Sequence, residues 1–111
     1  MFAHAGRLSA SRDFARIYRK GQAARSRLFR FAWMPAGRTR IAVVTGRKVS
    51  TKAVVRNRLK RQVRGALRVL LPRLTPADLI VQLQPSIVEV AHYQALATEL
   101  TEALRRAKLL I

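Results

Sequence analysis

Arg56, Arg58, Lys60, Arg61 and Arg64 crowd into nine residues, with Asn57 among them and Arg68 one helical turn further on. A guanidinium offers a planar fork of donors that matches phosphate oxygens, and a lysine adds a compact point charge. The chemistry this implies is anion recognition rather than bond making. Groups for bond making are scarce elsewhere. His4 and His92 have no acid or thiol beside them in sequence. Glu99 and Glu102 share a helix face, but a two-metal nuclease needs more converging carboxylates. Asp13 reads as a helix-start acid and Asp78 as a strand-entry residue. The stretch "TGRKVS" lacks the second glycine and the spacing of a phosphate-binding loop. Any catalysis involving this chain takes its reactive centre from elsewhere.

The charge distribution sharpens the point. The chain has 111 residues and a net charge of +18. Its acids are Asp13, Asp78, Glu89, Glu99 and Glu102, so residues 14–77 hold 18 of the 23 Lys and Arg and no carboxylate. Outside that block five bases face five acids. Such a field repels itself in the folded state, and a polyanionic partner offsets the cost. Arg far outnumbers Lys, which favours forked phosphate recognition. Nucleic acid is the first partner this suggests, and an anionic membrane the second. Half the residues are hydrophobic, which argues against a disordered basic tail. Without cysteine there are no disulfides or thiolate zinc sites, which suits a reducing cytoplasm. The first residues lack the apolar core of a signal peptide, and no run approaches the roughly 18 apolar residues of a membrane span. One domain over residues 1–111 is expected, with residues 1–8 and the last few flexible.

The basic residues need a scaffold. Residues 54–68, "VVRNRLKRQVRGALR", belong to a helix that starts near Thr51 or Lys52 and ends before Pro72. Val55, Leu59, Val63, Ala66, Leu67 and Leu70 fall on one side of it. Arg56, Lys60, Arg64 and Arg68 form a drifting stripe on another. "SRDFARIYRKG" reads as a short helix, capped by Ser11 and ended by Gly21 in the left-handed conformation. "SRLFRFAWM" alternates as a strand, with Leu28, Arg30, Ala32 and Met34 opposite Phe29, Phe31 and Trp33. Phe29 and Phe31 are expected in the core. "RIAVVTG" is a second strand, paired with the first as an antiparallel hairpin or meander. "QAARS" is a weaker strand signal. "ADLIVQLQP" is a strand buried on both faces. "VEVAHYQALATELTEALRRAKLL" is a closing helix with Val90, Tyr93, Leu96, Ala97, Leu100 and Leu104 facing inward. The order predicts a small α+β sandwich.

The run Arg56-Asn57-Arg58, Lys60-Arg61, Arg64 resembles the signature of the protein subunit of bacterial ribonuclease P. The resemblance extends over nearly the whole chain, through "RLSASRDFARIYRKG", "RIAVVTGRKVSTKAVVRNR" and "ADLIVQLQP". It implies an αβββαβα fold of the ribosomal protein S5 domain 2-like kind, with a left-handed β-α-β crossover where general rules favour a right-handed one. It implies a ribonucleoprotein endoribonuclease in which a catalytic RNA removes the 5′ leader of precursor tRNA. Mg²⁺ is then held mainly by RNA, and no residue of this chain is catalytic or binds metal. The implied partners are the catalytic RNA and precursor tRNA, with no membrane and no obligate protein partner. Two positions depart from the family pattern: Gly65, where Glu is frequent, and Ser50, where Gly is frequent.

The candidate residues for the RNA subunit are Arg47, Lys48, Lys52, Arg56, Asn57, Arg58, Lys60, Arg61, Arg64 and Arg68. For the basic side chains the alternative is a solvated helix face, and for Asn57 it is a brace at the helix start. The resemblance places Phe14 and Tyr18 along a leader cleft, with Arg30 and Ala32 on the facing strand and Arg16 and Arg27 nearby. Core packing is the competing reading for Phe14 and Tyr18. Two other function classes stay open: a stand-alone RNA-binding or ribosomal protein, and a membrane-active basic protein.

Overall fold

A computed structural model describes residues 11–90 and 92–111. His4 and the residues before Ser11 lie outside these. The chain runs α1 (Ser11–Lys20), β1 (Gln22–Arg25), β2 (Phe29–Pro35), β3 (Arg40–Val44), α2 (Ala53–Leu70), β4 (Ala77–Leu83) and α3 (Tyr93–Arg106). Short 3-10 turns at Leu71–Arg73 and Pro85–Glu89 flank β4.

The four strands form one sheet in the order β1-β2-β4-β3. β1 and β2 are an antiparallel hairpin, β4 is antiparallel to β2, and β3 is parallel to β4. The second strand of the expected hairpin is therefore not beside the first. β4 lies between them, with its Leu79–Ile80–Val81 run covered on both faces of the sheet. β2 pairs instead with the short "QAAR" strand, whose mostly exposed residues suit an edge.

Alternation sorts the side chains into two faces. Phe29, Phe31, Trp33, Ile41, Val43, Leu79, Val81 and Leu83 join the core beneath α2 and α3. Trp33 is buried with the two phenylalanines, because all three share a face. Leu28 precedes β2 and sits in this same core, so the even-numbered face begins at Arg30. On the opposite face Ala32, Ala42 and Ile80 pack with Ile17 of α1, and Phe14, Met34 and Val44 close around them.

Two ends of α1 differ from expectation. Ser11 is already helical, so the capping position lies outside the described residues. Gly21 does not have a positive φ. It is required by close approach: a Cβ there would lie 2.5 Å from the carbonyl oxygens of both Ile17 and Trp33. This contact seats the end of α1 on β2.

α3 begins only at Tyr93, since Pro85 and the 3-10 turn occupy the residues ahead of it. Leu96, Leu100, Ala103 and Leu104 are its buried residues. Tyr93, expected inside, is 40% exposed. Beyond α3, Lys108 takes the left-handed conformation (φ 62°) and turns the chain back. Leu109 is buried, and Leu110 bridges to Leu74. The described residues contain no helix long and apolar enough to cross a membrane.

Candidate RNA interface

α2 is held by Leu59, Val63, Ala66, Leu67 and Leu70, all buried. Each fully buried Leu or Val contributes about 1.5–3 kcal/mol. Together they outweigh the roughly 1 kcal/mol that Gly65 costs in mid-helix and leave the opposite side free to carry charge.

Burial resolves that side into two rows. Arg58, Arg61 and Arg68 are exposed along the outermost crest, with Asn57 beside them. Arg56, Lys60 and Arg64 are half-buried along the flank. The stripe read from spacing thus splits, because its 40° drift per step carries Arg56 toward the core and Arg68 toward solvent.

The start of α2 is built from side chains around the helix. Lys52 is the N-cap residue and makes no side-chain cap. Ser50 Oγ accepts a hydrogen bond from the Lys52 backbone N–H at 3.1 Å. Arg56 Nη1 donates to the Ser50 carbonyl at 2.9 Å. Arg56 is therefore the brace of the helix start, while Asn57 lies in the second turn, too far along to cap it. Ser50 needs no glycine-like backbone, since the only non-glycine residue with positive φ among those described is Lys108. Arg47 and Lys48 are exposed in the preceding turn, which Val49 anchors through its buried side chain and a 3.0 Å bond to the Gly46 carbonyl.

The sheet face under α1 is organised by register. Arg40, Asp78 and Met34 form one cross-strand row; Ala42, Ile80, Ala32 and Ala23 the next; Val44, Gln82, Arg30 and Arg25 the third. α1 covers the middle row through Ile17. In the third row Arg30 and Arg25 are exposed, and Val44 and Gln82 are half-buried. With neighbouring strands roughly 4.8 Å apart, this row is about 14 Å long. It runs from the β1 edge to Val44, two residues before the Gly46–Lys48 turn, and so leads toward the start of α2. Phe14 is half-buried against the Ile17 cluster on this face, and Tyr18, one turn on along the same side of α1, is 52% exposed.

Of the residues expected together in a cleft, Phe14, Tyr18, Arg30 and Ala32 belong to this face, Ala32 as a buried floor residue. Arg16 is directed instead to the first row, where its Nη2 lies 3.3 Å from both Asp13 and Asp78. Arg27 is not on this face. It sits in the β1–β2 loop, and its Nη2 donates to both carboxylate oxygens of Glu99 on α3 at 3.1 Å. The loop folds over the α3 side because Leu28 is drawn into that core.

Sequence reasoning missed Arg25 and Gln82. Gln82, a polar residue in an otherwise apolar strand, was the legible signal. It also missed that Asp13 and Asp78 form one cluster with Arg16 and Arg40. Arg38 and Arg40 join Arg16 and Asp78 around an open groove of about 530 Å³ there. The Arg40 hydrogen bonds hold the Asp78 carboxyl below its usual range against the opposing effect of burial. Both carboxylates face guanidiniums, so the pair does not fit a divalent cation. Among the described residues no three His, Cys, Asp or Glu side chains converge.

An arginine-crested helix on one face and a row bearing Arg25 and Arg30 on the other define a small, strongly basic α+β protein with two cationic surfaces. Residues 2–108 match the family model described as Ribonuclease P. The ribonuclease P protein component of Rippkaea orientalis is 38% identical over 113 residues, covering 94% of this chain and 87% of that protein. A Staphylococcus aureus RNase P protein, a mutant with defective mRNA degradation activity, superposes with a TM-score of 0.89 at 26% identity, covering 96% and 91% of the two chains. The RNase P protein of Thermotoga maritima gives 0.80 at 27% identity, covering 90% and 96%. The chain belongs to the ribonuclease P protein family.

Proposed function

We propose that this chain is the protein subunit that binds the catalytic RNA of ribonuclease P and steers the 5′ leader of precursor tRNA during removal of that leader. The observation that carries the reading is the exposed Arg58, Arg61 and Arg68 crest of a helix whose opposite side is locked into the core. Arginines so placed bind phosphates without unfolding cost, and the carboxylate-free block from 14 to 77 supplies a net positive field around them.

The third sheet row, with Phe14 and Tyr18 beside it, suits an unpaired strand. Arg25 and Arg30 meet its phosphates and the Tyr18 ring stacks on a base. In this reading Mg²⁺, held mainly by the RNA, would supply the hydrolytic chemistry, and the Asp13–Asp78 pair, which faces guanidiniums, does not fit it. The work of this chain is positional: α2 fixes it on the RNA, and the row aligns the leader relative to that anchor. The setting is the cytoplasm.

Reconstitution tests this reading. Cognate catalytic RNA and precursor tRNA are combined at low Mg²⁺ with and without the protein, and 5′ cleavage is followed. Protein-dependent cleavage at one site is expected, with none from protein alone. Cleavage unaffected by the protein, or sustained by RNA-free protein after repurification, would overturn it.

A further inference from the structure

Tyr93 stands at the start of α3 with 40% of its surface exposed. Its ring packs over Gly65 of α2, where a Cβ would meet the ring's Cε1 and Oη at 3.9 Å. Helical spacing makes Gly65 part of the crest: Arg61 is four residues before it, Arg58 seven before and Arg68 three after, all exposed. The gap left by the glycine is therefore filled from the neighbouring helix by an aromatic ring. A longer side chain at 65 would compete with that ring for the same place.

The ring is not needed to secure α3, whose Leu96, Leu100 and Leu104 are at most 1% exposed. An aromatic face set among guanidiniums has a specific use. Bases of unpaired nucleotides stack on it while the arginines meet the flanking phosphates. Paired RNA offers no free base face, so the preference is for an unpaired nucleotide.

We propose that Tyr93, seated over Gly65, is a stacking platform for one unpaired nucleotide of the RNA bound along the α2 crest. The interface then extends from α2 onto α3, and it reads RNA shape at a point where the arginines alone read only charge. This rests on the assignment of the crest to the RNA subunit.

The test uses full-length protein and the cognate catalytic RNA transcript, without tRNA, across a salt series. Tyr93→Leu keeps apolar bulk but removes the ring. It should weaken binding about fivefold or more with an unchanged salt slope, because a stacking contact releases no counterions. Tyr93→Phe should bind within about twofold of wild type, and both variants should melt with wild type. In Tyr93→Trp the fluorescence in excess of the wild-type signal from buried Trp33 should be quenched when the transcript saturates the protein. Wild-type affinity in Tyr93→Leu, an affinity loss matched by earlier melting, or an unquenched Trp would each overturn the proposal. Failure of the wild type to bind the transcript would instead overturn the assignment of the crest to RNA.

Discussion

Arg40 donates two hydrogen bonds of 2.8 Å to the two carboxylate oxygens of Asp78, across the parallel β3–β4 ladder. Asp78 is 5% exposed, and Arg16 from α1 reaches the same carboxylate. The pair thus ties the sheet to the end of α1 that bears Asp13.

Asp78→Asn should lower stability by about 1.5–3 kcal/mol, the range for a hydrogen bond to a charged group. It keeps one acceptor for Arg40, turns the other into an NH2 that faces a guanidinium, and leaves Asp13, at 3.8 Å, as the remaining carboxylate beside Arg40. The pH dependence follows from the depressed carboxyl of Asp78. Its contribution is complete above the unfolded value of about 3.9 and is lost as pH falls through the lower folded value. Urea unfolding at pH 5 and pH 3 should show a smaller gap between wild type and variant at the lower pH.

Two glycines should respond oppositely to alanine. Gly65→Ala meets only an ordinary contact with Tyr93 and should gain about 0.5–1 kcal/mol. Gly21→Ala drives a methyl into two carbonyl oxygens and should lose about 1–3 kcal/mol. Chemical denaturation of both variants distinguishes a helix-propensity cost from a packing requirement.

Lys108→Gly should stabilise the end of α3. Lys108 N–H bonds to the Arg105 carbonyl at 3.0 Å and Leu109 N–H to the Leu104 carbonyl at 2.9 Å, the pair of bonds that ends a helix through a left-handed residue. A non-glycine residue there carries about 1–2 kcal/mol of strain. Glycine relieves it at an entropic cost of about 0.4–1 kcal/mol, so a net gain between about 0 and 1.6 kcal/mol is expected, read from urea unfolding.

Arg58→Ala combined with Arg61→Ala should weaken binding to the catalytic RNA and leave the fold intact, since both residues are on the crest. For about six phosphate contacts the wild-type log–log salt slope is roughly −4 to −5, and removing two should reduce its magnitude by about 1.4–1.8. Equal slopes for the two proteins would take the crest out of the interface.

Tyr18→Ala separates leader contact from core packing. At 52% exposure its loss should barely move the melting temperature. Affinity of the holoenzyme for precursor tRNA should fall about fivefold or more, with mature tRNA nearly unaffected. Equal losses for both RNAs would place Tyr18 outside the leader path.

What the sequence determined by itself is what depends on near neighbours along the chain. The 3.6-residue period of α2 separates its buried side from its basic side within five turns. The alternation in β2 separates Phe29, Phe31 and Trp33 from Arg30 and Ala32. The missing carboxylates between 14 and 77 gather the excess positive charge into one contiguous block. Strand order was not legible, because β3 and β4 are adjacent in the sheet but separated in the chain by α2. Neither periodicity says which strand enters between two others. Everything that depends on that order was decided in three dimensions: the Val44–Gln82–Arg30–Arg25 row, the Arg40–Asp78 pair and the turning of Arg27 onto Glu99. The seat of Tyr93 on Gly65 is of the same kind. Local pattern assigns a residue to a face, whereas only the packing of faces against one another brings distant residues within bonding distance.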